Sequence, residues 1–169
     1  MSGLDPGREW LRRCAKGDEE ALRLLVGQYQ ALIFGIAKRF LGNAEDAEEV
    51  AVSTFLKAWN SASTFRGECT VKSYLCQIAL NLCKDKPRPK IPVAPPCPED
   101  DRNGDRFDRL MAVMQSLSDE DREVIVLYYL NEMTYDEIGD ALGLTYDVLR
   151  TRLVRARKRL RNLLEVEHV

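Results

Sequence analysis

Residues 134–161 read TYDEIGDALGLTYDVLRTRLVRARKRLR, and this stretch decides the fold. Thr134, followed three residues on by Glu137, is a capping box: the hydroxyl accepts from the N3 amide and the glutamate reaches back to the cap amide. Ile138, Ala141 and Leu142 give the helix that starts there an apolar face. Gly143 then stands where a left-handed C-cap is required. Leu144 and Thr145 lead directly into a longer helix. A short helix, a tight turn with glycine and a longer helix make the helix-turn-helix pattern.

From Arg150 to Arg161 the charge on the longer helix is of one sign. Arg150, Arg152, Arg155, Arg157, Lys158, Arg159 and Arg161 occur with no acid among them. At 100° per residue from Arg150, Leu149, Leu153, Ala156, Leu160, Leu163 and Leu164 form a stripe at roughly 220–320°. Arg150, Arg157, Lys158 and Arg161 lie on one side of the opposite face, and Arg152, Arg155 and Arg159 on the other, with Thr151 between them. Cations flanking a narrow outward strip suit a helix in a major groove, where arginines reach phosphates while residues near the middle meet base edges. A basic C-terminal turn favoured by the helix dipole explains only part of such a run.

The rest of the chain sets the frame. Its 169 residues carry a formal net charge of -2, with 45% hydrophobic and 31% charged residues, enough for a packed core and unlike a disordered chain. Six of the seven prolines (Pro87, Pro89, Pro92, Pro95, Pro96 and Pro98) fall within 87–98, where no helix or central strand can continue. The chain thus divides into 1–86, a linker at 87–105, and 106–169. Neither half is basic overall, because acids at Asp119–Glu123 and Asp136–Asp140 offset the cations. No apolar run is long enough to span a membrane and the N-terminus has no secretory pattern, so a cytoplasmic chain without membrane insertion is expected. Cys14, Cys69, Cys76, Cys83 and Cys97 form no CxxC pair, and His168 is the sole histidine, which gives no zinc set and no expected cofactor. Cys69, Cys76 and Cys83 recur every seven residues, as a packed helical stripe or a redox or metal-sensing face.

In the first half, Leu22, Leu25, Val26, Tyr29, Leu32, Ile33, Ile36, Ala37 and Phe40 predict an amphipathic helix over 18–41, with acids in its first turn and Gly42 beyond its end. Asn43 caps a second helix whose N-terminal end carries Glu45, Asp46, Glu48 and Glu49. Dipole complementation on a solvated face accounts for such acids at about 0.3–1 kcal/mol each; a binding role is the alternative. A small, polar loop over 60–69 contains Phe65 and Arg66, and a helix restarts near Thr70. Aromatics beside cations and amides (Phe65, Arg66, Lys72, Tyr74, Gln77 and Asn81) suit single-stranded nucleic acid, while Phe65 and Tyr74 also fit a core.

These segments resemble, in order, the extracytoplasmic-function (ECF) sigma factors of the sigma-70 family. The resemblance rests on Asp46–Trp59, Phe65–Glu68, Tyr74–Asn81, Leu117–Ile125, Thr134–Ile138 with Ala141–Gly143, and Arg150–Leu160, and covers about residues 8–163. It implies an all-α fold: a sigma-2 helical bundle (1–86) and a sigma-4 helix-turn-helix domain (106–169) joined by the proline-rich linker. The implied function is promoter-specific initiation with core RNA polymerase, without a catalytic step. By the resemblance, sigma-2 binds the beta-prime clamp helices, through Asp46 and Glu49, and the minus-10 element, through Phe65, Arg66, Lys72, Tyr74 and Asn81. Sigma-4 would bind the beta flap and the minus-35 element, through Arg150, Thr151, Arg152 and Arg155. A separate anti-sigma factor is an expected partner. Four places depart from the family pattern: Val52-Ser53 replaces a usual Gln-Glu pair, Tyr74 a usual tryptophan, Cys76 a usual aromatic, and Asp147-Val148 a usual Gly-Thr pair.

Three other readings compete. An ordinary helix-turn-helix regulator would bind an operator without polymerase. An enzyme built on Glu48/Glu49 or Asp136/Glu137 is disfavoured, since adjacent helical positions point about 100° apart and no nucleophile, metal set or phosphate loop accompanies them. An all-helical adaptor leaves the cation segregation unexplained.

Overall fold

The computed structural model of the protein describes residues 5–87 and 104–166, with the side chains of 104 and 105 left aside. Pro89, Pro92, Pro95, Pro96, Pro98, Cys97 and His168 lie outside the described residues.

Among the described residues the regular structure is all helical. The first group comprises α1 (Pro6–Cys14), α2 (Glu19–Leu41), α3 (Ala44–Ser61) and α4 (Val71–Asp85), with a short 3-10 turn at Ala62–Thr64. Polar caps set where each helix starts. Asp18 accepts from the Glu20 and Ala21 amides, Asn43 from Asp46 and Thr70 from Ser73, each taking up donors that a helix N-terminus leaves unpaired. Gly42 ends α2 at φ 83, a conformation that a Cβ would penalise. Asp5 does two jobs, capping α1 through Gly7 N and accepting from Val71 N at 3.0 Å, which ties the start of α4 to the start of α1.

The second group holds α5 (Gly104–Gln115), α6 (Asp119–Ile125), α7 (Tyr135–Leu142) and α8 (Tyr146–Val166). Between α6 and α7 the chain makes a π-turn at Val126–Leu130, then breaks at Glu132 with φ 51. The Thr134/Glu137 capping box is complete, and Gly143 ends α7 at φ 66. Helices α1 and α5 go beyond the pattern read in the sequence. The buried face of α1 is Gly7, Leu11 and Cys14, only one of which is a strong apolar signal.

The two groups pack against each other and share one continuous apolar core, which runs from Leu11 in α1 to Ala156 in α8. Helix α4 lies against α7, and the end of α2 lies against α5 and the π-turn. Arg39 donates to Leu130 O at 2.7 Å and to Asn131 Oδ1 at 2.8 Å. Arg122, 1% exposed, caps two helix ends at once: it donates to Met114 O and Gln115 O at the end of α5, to Leu117 O just beyond, and to Phe40 O in the last turn of α2.

The cysteine stripe is corrected in one respect. Cys69 lies in the bend before α4, so only Cys76 and Cys83 share that helix, and both are buried. Burial pushes each of these two thiols up to about 12.

Candidate nucleic-acid interface

Helix α8 turns Leu149, Leu153 and Ala156 into the core and leaves Arg150, Thr151, Arg155, Arg157, Lys158 and Arg159 exposed. The cations on one side are held by carboxylates of α6. Arg152, with an 18% exposed side chain, donates to Glu123 Oε1 at 3.2 Å; Arg159 bonds Asp121, and Arg155 Nε lies 3.9 Å from Asp121 Oδ1. Both acids are almost wholly buried, and Glu123 also pairs with Lys84 of α4. On the other side Arg150 projects freely into solvent and Arg157 donates to the Tyr129 hydroxyl at 3.1 Å.

Arg152 is therefore more enclosed than its place on a helical wheel suggests. Its guanidinium braces α8 against α6, whereas Arg150, Thr151 and Arg155 face outward. Sequence reasoning registered Asp121 and Glu123 only as part of an acidic segment. Their burial against α8 depends on a contact 29 to 38 residues away, which no local pattern encodes.

The loop before α4 forms the second element. Phe65 and Tyr74 stack with ring centroids 4.7 Å apart, and the Tyr74 hydroxyl shares a 2.6 Å hydrogen bond with Ser61 Oγ. Together with Thr64, Arg66, Glu68, Cys69 and Gln77 they line a cavity of about 310 Å³. Gly67 makes the bend at φ 73. Of the five residues expected here, the cavity gathers Phe65, Arg66 and Tyr74. Asn81 is exposed two turns further along α4, on the side of Tyr74 and Gln77, so the three make a polar track that leads away from the cavity.

Lys72 turns elsewhere. Its ammonium meets Glu137 Oε1 at 3.0 Å, and the neighbouring Ser73 hydroxyl donates to Glu137 O at 2.9 Å, so the base of α7 covers this edge of α4. Burial pushes the Glu137 carboxyl up, but the Thr134 amide and Lys72 outweigh it and hold the group below the ordinary carboxylate range.

Asp46 and Glu49 lie one turn apart at the start of α3 and share Lys86, at 3.5 and 2.6 Å. The Asn43 amide, helped by Lys86, keeps the Asp46 carboxyl below its usual range. Beside them α3 exposes two apolar side chains, Val52 (61%), which stands at a departure from the family pattern, and Leu56 (55%). Val52 also lines a groove with Gln30, Ala31, Phe34, Glu48 and Ala51.

Residues 25–89 match the model of sigma-70 region 2, and residues 107–160 match that of sigma-70 region 4. The chain belongs to the sigma-70 family, in its ECF group. The matched segments contain the cavity of Phe65 and Tyr74, the acids of α3 and the helix-turn-helix. Among its relatives, the ECF RNA polymerase sigma factor SigW of Bacillus subtilis is 28% identical over 176 residues, covering 91% of this sigma factor and 94% of SigW. The ECF RNA polymerase sigma factor SigE of Mycolicibacterium smegmatis is 30% identical over 168 residues, covering 89% of this chain; the match spans 65% of the length of that longer relative. The solved structure of CnrH in complex with the cytosolic domain of CnrY superposes with a TM-score of 0.77 at 26% identity, over 96% of this chain and 99% of CnrH. Among the described residues no helix of this sigma factor is long and apolar enough to cross a membrane.

Proposed function

We propose that this sigma factor binds core RNA polymerase in the cytoplasm and directs initiation at promoters read by two separate surfaces, with no catalytic step of its own. The observation that carries the proposal is the pairing of an open basic recognition helix with an aromatic cavity on the same chain. Arg150, Thr151 and Arg155 would meet the minus-35 duplex, with Arg152 at the edge of that surface bracing α8 against α6. Phe65, Arg66 and Tyr74 would receive an unpaired base of the minus-10 strand, and Asn81 would contact the strand as it leaves. Capturing the unpaired state offsets the few kcal/mol that unstacking a base costs, so binding itself drives strand opening.

Lys72 would join the minus-10 surface only after α7 moves off α4, since Glu137 holds its ammonium. Residues 1–86 would act as sigma-2 and residues 106–169 as sigma-4, with 87–105 spanning the distance between promoter elements. Asp46 and Glu49 would dock on the beta-prime clamp helices, and sigma-4 on the beta flap. By likeness to CnrH, which is held by the cytosolic domain of CnrY in its solved structure, a separate anti-sigma protein would control the chain.

The test is reconstitution. Purified chain added to bacterial core polymerase should yield transcripts from defined starts on genomic DNA, and Arg150→Ala should weaken them. A chain that footprints an operator alone and gives no promoter-specific transcript would be an ordinary helix-turn-helix regulator.

A further inference from the structure

The recognition helix begins with an acid where a basic surface is about to meet a polyanion. On α8, Asp147, Thr151 one turn on and Lys158 two turns further fall on one line, opposite the buried Leu149 and Ala156. Asp147 therefore occupies the centre of the outward face, at the end of the helix that enters a groove first. It is exposed and has neither a hydrogen bond nor an ion pair, although Arg150 is one turn away. Val148 beside it is 48% exposed. Together with Thr151, Arg152 and Arg155 these two residues line a shallow concavity of about 410 Å³ on the outer surface of α8.

The helix dipole favours an acid in a first turn, but it does so equally for first-turn positions that face away from DNA. At this position the carboxylate would point at the groove floor, flanked by phosphates, and would be repelled unless a donor meets it. The major groove offers few donors. Guanine presents acceptors at N7 and O6, and adenine sets its N6 donor beside the N7 acceptor, which repels a carboxylate and suits a carboxamide; cytosine presents its N4 amino group, with which a carboxylate pairs. Next to it, the two methyl groups of Val148 can pair with only one groove feature of their own kind, the thymine C5-methyl. The cations of α8 supply the charge complementarity that brings this face to duplex DNA rather than to a protein.

We propose that Asp147 and Val148 set the upstream base preference of this sigma factor: Asp147 selects a cytosine through its N4 amino group, and Val148 favours a thymine at the neighbouring pair. The inference rests on the reading of α8 as the minus-35 helix. It adds two positions to Arg150, Thr151 and Arg155, and gives them base identities.

The experiment uses the reconstituted holoenzyme and a promoter library randomised across the upstream element, with transcripts sequenced to score each base. Wild type should enrich cytosine at one upstream position, with a thymine preference beside it. Asp147→Ala should reduce the cytosine preference at least about fivefold and leave distant positions unchanged. Asp147→Asn should turn the same position toward adenine, because a carboxamide pairs with adenine N6 and N7. Val148→Ala should flatten only the adjacent thymine preference. Base preferences that stay the same in both Asp147 variants, or a uniform loss of transcription without a change in preference, would overturn the proposal while promoter-directed initiation by wild type still stands. Absence of promoter-specific transcripts with wild type would overturn the underlying reading, and this inference with it.

Discussion

Replacing Arg122 by methionine keeps an apolar stem of similar reach and removes a buried guanidinium that satisfies four carbonyls. Met114 O and Gln115 O belong to the end of α5, Leu117 O lies just beyond it, and Phe40 O belongs to the last turn of α2. Each hydrogen bond from a charged donor is worth about 1.5–3 kcal/mol, so a simple sum would reach about 6–12 kcal/mol. The sum overshoots, because Gln115 Nε2 also donates to Phe40 O at 3.3 Å and helix-end carbonyls can turn toward water. The figure for breaking a buried charged network, about 3–5 kcal/mol, is the better guide. For a chain of this size that corresponds to a melting temperature lower by about 6–20 °C. Urea denaturation should show a lower midpoint at unchanged slope. Arg122→Lys should recover little, since one ammonium cannot span carbonyls that a planar fork reaches in several directions. As a contrast, Arg13→Ala severs a half-exposed pair with Asp18 and should cost at most about 1 kcal/mol. An Arg122→Met variant within about 1 kcal/mol of wild type would refute the two-helix capping argument.

Three further outcomes can be checked. Thr134→Ala opens the capping box of α7 and should cost about 1 kcal/mol by thermal melting; an unchanged melt would mean that the box contributes nothing. Alkylation of the native chain near pH 8 followed by mass spectrometry should modify Cys69 well before Cys76 or Cys83, whose thiols are buried and pushed up to about 12; early modification of Cys76 would contradict that burial. Glu123 is raised above its ordinary 4.5, first by burial, against the pull of Lys84 and Arg152. The folded chain then holds this proton more tightly than the unfolded one, so the stability it contributes is present below about pH 4.5 and is lost as pH rises through the folded value. Glu123→Gln cannot titrate, and the stability of wild type relative to it should fall with pH over that window; a rise would reverse the sign of the argument.

Helices α2, α3, α4 and α7 were legible because their ends are marked by chemistry that acts locally. Asp18, Asn43 and Thr70 all cap the helices they precede, and Gly42 and Gly143 end helices at positive φ. The orientation of α8 was legible from its 3.6-residue period, which separated Leu149, Leu153 and Ala156 from the exposed cations. What could not be read were relations between distant segments. Nothing near Lys72 in the sequence indicates that Glu137 holds it, and nothing near Arg152 indicates Glu123. Helix α1 escaped because two of its three buried residues are glycine and cysteine, which carry little periodic apolar signal. Leu56 went unremarked and Val52 registered only as a departure from the family pattern, because nothing local in the sequence shows an apolar side chain left uncovered on a helix surface.

The seam between the two helical groups has a consequence for how it tolerates change. Arg39 and Arg122 each grip a backbone oxygen across it, Leu130 O and Phe40 O, with Asn131 Oδ1 as a further acceptor for Arg39. A carbonyl persists whatever residue carries it, so substitutions at Leu130 or Phe40 can alter packing but cannot delete these acceptors. The dependence is lopsided: each bond to a carbonyl is written into the sequence on one side only. Where segments touch in this way they can drift independently as long as the arginines stay, leaving no paired substitutions, whereas the Lys72–Glu137 and Lys84–Glu123 ion pairs of the same seam depend on the residues at both ends.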